Sequence, residues 1–141
     1  MAAFRPVGSI AVGKEAGRPE IARPALEAEK IHVYEAEDPI EAYNRGMEHL
    51  DYNEPDLAIE AFSQTLALRP SAVHAWFARG FAQASRGNLD GAIADYTEAL
   101  RLDPRYAAAY HNRSAAYRQQ GKTELAEQDE AKYRQLRGYA G

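Results

Sequence analysis

Pro70 and Pro104 stand 34 residues apart, and three further columns step by the same interval: Gly46, Gly80 and Ser114; Ala58, Ala92 and Ala126; Asn53, Gly87 and Gly121. A fixed period of this length constrains the architecture before any single residue does. A unit so short cannot bury its own apolar face and must stack on a neighbour to do so. Counting back from the prolines gives units at 39–72, 73–106 and 107–140, with Gly138 where a third proline would fall. Residues 1–38 do not share the period and stand apart as an N-terminal arm, Pro- and Gly-rich at first and hence extended or only partly ordered.

Within each unit the apolar and small residues recur at helical spacing on either side of a turn signal, so each unit reads as two helices. In the middle unit the first helix is predicted from about Ser71 to Arg86, with a stop at Gly87. Asn88 is the cap of a second helix over Leu89 to Leu102, ended by Asp103-Pro104. In the first unit Asp38 can cap a helix that has Pro39 at its first position, and Pro55 plays the same part for the second helix. Gly46, Gly80 and Ser114 carry almost no side chain, so helices can cross closely there, with Ala58, Ala92 and Ala126 as facing small surface. Trp76, Tyr110, Phe62 and Tyr96 are expected to fill the remaining space. Gly87→Ala is expected to matter little unless the φ of Gly87 is positive.

The stretch WFARGFAQASRGNLDGAIADYTEALRLDP, residues 76–104, resembles a tetratricopeptide repeat, with Trp76, Gly80, Ala92, Tyr96, Ala99 and Pro104 on the signature positions. The resemblance extends over about 100 residues and implies an all-α fold. That fold is a right-handed superhelical solenoid of three antiparallel helix pairs over 39–141. Two departures stand out. Arg45, Arg79 and Arg113 occupy the place where that family usually has leucine, and Ala42 replaces the first unit's large aromatic. In the third unit Glu130 stands where Phe62 and Tyr96 stand, and Arg134 where Leu66 and Leu100 stand. The last helix thereby gains a polar outer face, as a terminal repeat of a solenoid requires.

Composition narrows the function classes. Hydrophobic residues make up 45% and charged residues 27% of the chain, and no apolar run approaches the ~20 residues a membrane-spanning helix needs. Membrane insertion is not expected. Pro6, Gly8 and Gly13 interrupt what would have to be the apolar core of an export signal, which makes the cytoplasm the default location. The absence of cysteine removes disulfides, thiolate metal sites and cysteine nucleophiles together. Residues 25–70 hold eleven acidic residues against Lys30, Arg45 and Arg69, and the basic residues of the second half are interleaved with acids. Without a concentrated basic face, nucleic acid is not an expected partner.

The resemblance places function on the concave surface lined by the first helix of each unit, where family members hold a peptide or a segment of a partner protein. The corresponding positions here are Tyr43, Asn44 and Met47; His74, Phe77, Ala78 and Phe81; and His111, Asn112 and Ala115. Aromatic contact combined with amides that donate and accept suits an apolar peptide held partly through its backbone. The other reading of Phe77 and Phe81 is simple space-filling. Some relatives clamp acidic chaperone tails with lysines, arginines and asparagines. YHNRSAAYRQQG at 110–121 looks like part of such a clamp and puts Asn112 on its asparagine. Tyr43, Met47, Phe77 and Phe81, however, stand where lysine or asparagine would be needed.

An enzyme finds little support. His32, His49, His74 and His111 form no HExxH spacing, and there is no phosphate-cradling glycine loop or G-x-S-x-G elbow. His74 and His111 without a carboxylate ligand make a weak metal site, so no metal, cofactor or catalytic residue is assigned. Asp95 and Asp129 lie one period apart beside the arginine column, and Arg113 is expected to pair with one of them. Finally, Phe4, Val7, Ile10, Val12, Ile31, Val33 and Tyr34 give the arm the composition of a groove ligand. Its expected role is to cover the array or to mediate self-association.

Overall fold

The computed structural model describes residues 38–138. The array from Asp38 onward forms one compact unit, and the readings that concern the preceding arm lie outside the described residues. Six α-helices follow one another: α1 Pro39–Asp51, α2 Pro55–Leu68, α3 Val73–Ser85, α4 Leu89–Leu102, α5 Ala107–Gln119 and α6 Thr123–Leu136. Each consecutive pair packs as an antiparallel hairpin, and each hairpin packs on the next through α2 with α3 and α4 with α5. The first helices also touch one another directly across units, α1 with α3 and α3 with α5, more than the second helices do. The first helices therefore form the inner layer of the stack.

Local sequence accounts for the helix ends. The Asp38 carboxylate accepts from the Glu41 backbone N–H at 2.9 Å, and Pro39 follows it at the first helical position. Asn88 accepts from the Gly91 N–H at 3.1 Å. α3 starts at Val73, two residues later than the spacing predicts, because Ser71 lies in a turn closed by Ala72 N–H to Arg69 O at 3.1 Å.

The turn column closes the first helix of every unit by one mechanism. Asn53, Gly87 and Gly121 have φ of 58°, 83° and 78°, the left-handed region in which a Cβ is penalised and only Gly or Asn is at ease. In each case two paired bonds cap the helix: Asn53 N–H to Leu50 O with Glu54 N–H to His49 O, Gly87 to Ala84 with Asn88 to Gln83, and Gly121 to Arg118 with Lys122 to Tyr117. These satisfy carbonyls that the helix leaves open. A Cβ built on Gly87 meets nothing within 4 Å, so the penalty for Gly87→Ala is purely conformational. The expected loss is ~1 kcal/mol, read as a lower denaturant midpoint at unchanged slope. An unchanged midpoint contradicts the left-handed assignment.

The core is a column of small residues against rings. Ala58, Ala92 and Ala126 are fully buried, as are Phe62 and Tyr96. Nearest to Gly46 and Gly80 is the ring one column further along: a Cβ on Gly46 would lie 2.5 Å from Phe62, and one on Gly80 2.7 Å from Tyr96, with the carbonyl oxygen of Ala92 at 3.2 Å. In the third unit Glu130 replaces the ring, and the fully buried Ser114 keeps its hydroxyl there. Trp76 and Tyr110 are only half-buried. Their polar tips donate to the interunit turns, Trp76 Nε1 to Pro70 O at 2.8 Å and Tyr110 Oη to Pro104 O at 3.0 Å.

The arginine column ties units together. Arg79 donates from Nε and Nη2 to both oxygens of Asp95, each at 2.9 Å, and from Nη1 to Ser63 Oγ of the preceding unit at 3.0 Å. Arg113 repeats the pattern with Asp129, at 2.7 and 2.8 Å, and with Thr97 Oγ1 at 2.9 Å. Of the two acids open to Arg113, the structure selects that of its own unit. Arg45 faces Ala61 at the acid position and donates instead to Gln64 Oε1. The guanidinium groups of Arg79 and Arg113 also lie over the rings of Trp76 and Tyr110, at 5.1 and 5.9 Å.

Candidate functional site

The inner layer presents one stripe per unit, spaced three and four residues apart on α1, α3 and α5. On α1 it is Ile40, Tyr43 and Met47; on α3, His74, Phe77 and Phe81; on α5, Ala108, His111 and Ala115. The middle residue of each stripe rests on the second helix of its own unit. Tyr43 packs on Phe62 with centroids 5.6 Å apart, Phe77 on Tyr96 at 5.7 Å, and His111 Nδ1 lies 3.2 Å from Glu130 Oε1. Tyr43 and Phe77 are accordingly half-buried and tie the inner layer to the second helices. Phe77 is further stacked on Tyr106 at 4.9 Å.

The outer residues of the first two stripes are different. Ile40 is 63% exposed, Met47 38% and Phe81 47%, high values for such large apolar side chains. Asn44 is exposed as well, whereas Ala78 is buried in the core with Phe62 and Ala82 and offers no groove surface. Asn112 is half-buried and hydrogen-bonds the Tyr96 hydroxyl, so part of its amide capacity is already used. Burial raises the Tyr96 phenol to about 12, with Asn112 pulling the other way.

His74 Nδ1 lies 3.1 Å from the Tyr106 hydroxyl, with the rings edge to face at 5.4 Å. His111 lies against Tyr133 at 4.6 Å as well as near Glu130. Each imidazole is thus engaged within its own surroundings, and among the described residues no group of three or more His, Cys, Asp or Glu could hold a metal ion. Asp95 and Asp129, 3% and 5% exposed, are held by arginine forks. They are structural carboxylates.

Between the N-terminal ends of α1 and α3 lies a cavity of about 560 Å³. Its apolar wall is Pro39, Ile40, Tyr43, Ala72, Val73 and Ala75, and its polar rim includes Arg69, His74 and Asp103. The sequence reading missed this cavity, although Ile40 and His74 share one repeat position and could have pointed to it.

Family models described as tetratricopeptide repeat match residues 43–106 and 95–128. Among solved structures, the crystal structure of MamA is similar at TM-score 0.70 and 24% identity, over 72% of this chain and 59% of that one. The second TPR of Spaghetti (RPAP3), bound to the HSP90 peptide SRMEEVD, is similar at TM-score 0.69 and 25% identity, over 71% and 93%. The TPR2B domain of yeast Sti1, in a complex with pHsp70, follows at 0.68 and 22%, over 70% and 78%. The match spans a little over half the length of two of the MamA chains, 59% and 54%. Among the described residues no helix is long and apolar enough to cross a membrane.

Proposed function

Because the chain belongs to the tetratricopeptide-repeat family, we propose that it is a protein-interaction scaffold that holds an apolar peptide segment of a partner on its inner layer. The observation that carries this reading is the exposure of Met47 and Phe81, which sit on one repeat position in neighbouring units. Large apolar side chains left in water side by side favour a covering partner, and Asn44 beside Met47 supplies an amide for the partner's backbone. Solved structures of this fold include one bound to an HSP90 peptide and one in a complex with pHsp70, which supports peptide binding as the general mode.

Acidic chaperone tails are the alternative, and the groove chemistry disfavours them. Tyr43, Met47, Phe77 and Phe81 supply no cation, and the one basic side chain of the stripe in the third unit, His111, already faces Glu130. Little there offsets the desolvation of a carboxylate.

The test is fluorescence anisotropy with labelled peptides, apolar and acidic, against the chain and its Met47→Asp and Phe81→Asp variants. Each variant is expected to weaken the apolar peptide by about tenfold or more, the cost of losing one buried apolar contact and burying a charge. The melting temperature should hold, because both side chains are exposed. Equal affinity of the parent and both variants sinks the groove assignment.

A further inference from the structure

We propose that the cavity between the N-terminal ends of α1 and α3 is the specificity pocket of this groove. It takes one bulky apolar side chain of the bound peptide, flanked by an acidic residue that meets Arg69 and a basic residue that meets Asp103. The inference rests on the groove reading and adds the identity of the segment bound.

The cavity volume of about 560 Å³ falls within the range of pockets that bury a ligand rather than a water cluster. Six of its lining residues are apolar, and Ile40 stands in its wall while 63% exposed. The wall is firm on the side of the second unit, since Ala75 is fully buried and His74 is fixed by Tyr106. Tyr43 belongs both to the cavity and to the α1 stripe, so the pocket is continuous with the groove and one peptide can engage both.

The rim carries the charge argument. Arg69 is exposed at the end of α2, and among the described residues its guanidinium has no hydrogen bond or ion pair. The carboxylate of Asp103, its counterpart one repeat later, accepts only the Arg105 backbone N–H at 3.0 Å and makes no ion pair among the described residues. A rim that shows both signs fits a segment with one acid and one base around the apolar anchor. A run of acids would meet Asp103 unfavourably, which separates this ligand from an acidic tail.

The experiment uses the full chain and labelled nonapeptides with a central leucine between glutamate and lysine, in both orders, together with central-alanine, all-glutamate-flank and all-lysine-flank versions. One mixed-flank order should bind best, and central alanine should weaken it by roughly tenfold or more, the worth of one buried leucine. Arg69→Glu should weaken it by about threefold to tenfold at low salt, twice the effect of one exposed ion pair being at stake. Exchanging the peptide's glutamate for lysine should restore affinity to that variant. Ser71→Trp, which fills the cavity from an exposed lining position, should weaken every leucine peptide.

If Arg69→Glu and Ser71→Trp both leave affinity within twofold while Phe81→Asp abolishes it, the pocket proposal falls and the groove reading stands. If all-glutamate flanks bind best, the rim assignment is overturned in favour of an acidic ligand. If none of the peptides binds, both readings fall.

Discussion

Gly80→Leu is expected to cost about 3 kcal/mol or more and to lower the melting temperature by more than about 10 °C. Even a bare Cβ at this position would lie 2.7 Å from the Tyr96 ring and 3.2 Å from the carbonyl oxygen of Ala92. The backbone oxygen cannot withdraw without bending α4. The ring has nowhere to go either, being 1% exposed and backed by Phe77 at 5.7 Å. A leucine adds three more heavy atoms to that overlap. Thermal melting followed by circular dichroism is the measurement, and an unchanged midpoint would mean that α3 and α4 do not cross at Gly80. Pairing the substitution with Tyr96→Ala should recover part of the loss, because the two residues share one space.

Arg113→Ala should destabilise the array by about 3 kcal/mol, the lower end of the range for removing one partner of a buried ion pair. The fork to Asp129 is only 16% and 8% exposed on its two sides. Its bond to that carboxylate also raises the guanidinium above its ordinary value, and an arginine side chain keeps its charge across the pH range in which proteins fold. The substitution strands Asp129 in the interior, frees the Thr97 hydroxyl and removes the cation from over Tyr110 and Tyr117. Arg113→Lys should fall between, since an ammonium cannot make the two parallel bonds. Replacing both partners, as in Arg113→Met with Asp129→Leu, should come near the parent, because two apolar groups leave no buried charge behind. Urea titration of the four proteins checks the series, and a loss below ~1 kcal/mol for Arg113→Ala would show that the pair is solvated.

Both expectations grew from positions visible in the sequence. Their partners were only partly so. The period located every helix pair, and the caps Asp38 and Asn88 were correctly read because a short acceptor before an apolar run has a local cause. The choice between Asp95 and Asp129 for Arg113 was open, since both share one repeat position and only three-dimensional geometry separates them. The hydroxyls of Ser63 and Thr97 went unread, although they too stand 34 residues apart. Of the residues expected to line a groove, Met47, Phe81, Asn44 and His74 are exposed. The period could not show that Ala78 is buried or that Asn112 is turned toward Tyr96, because side-chain direction on a helix is settled by the neighbouring layer. The cavity went unread for the same reason: it is lined by residues from two helix starts, a helix end and two turns, and the repeat positions shared by Ile40 with His74 and by Arg69 with Asp103 do not by themselves show that these segments converge.

The links between units make the middle one a tile whose two edges match. Its leading edge brings Arg79 and Arg86, which reach Ser63 and Asp56 of the unit before. Its trailing edge offers Thr97 and Asp90, which Arg113 and Gln120 of the next unit use. A second copy of 73–106 inserted after Tyr106 would find a hydroxyl for its Arg79 and a carboxylate for its Arg86 already waiting, with Asp95 supplied from within. The outer units lack this property, because Ala61 gives no acid and Ala131 no hydroxyl. The grammar for lengthening the array, and so for extending the surface it offers to a longer ligand, is written in its central 34 residues alone.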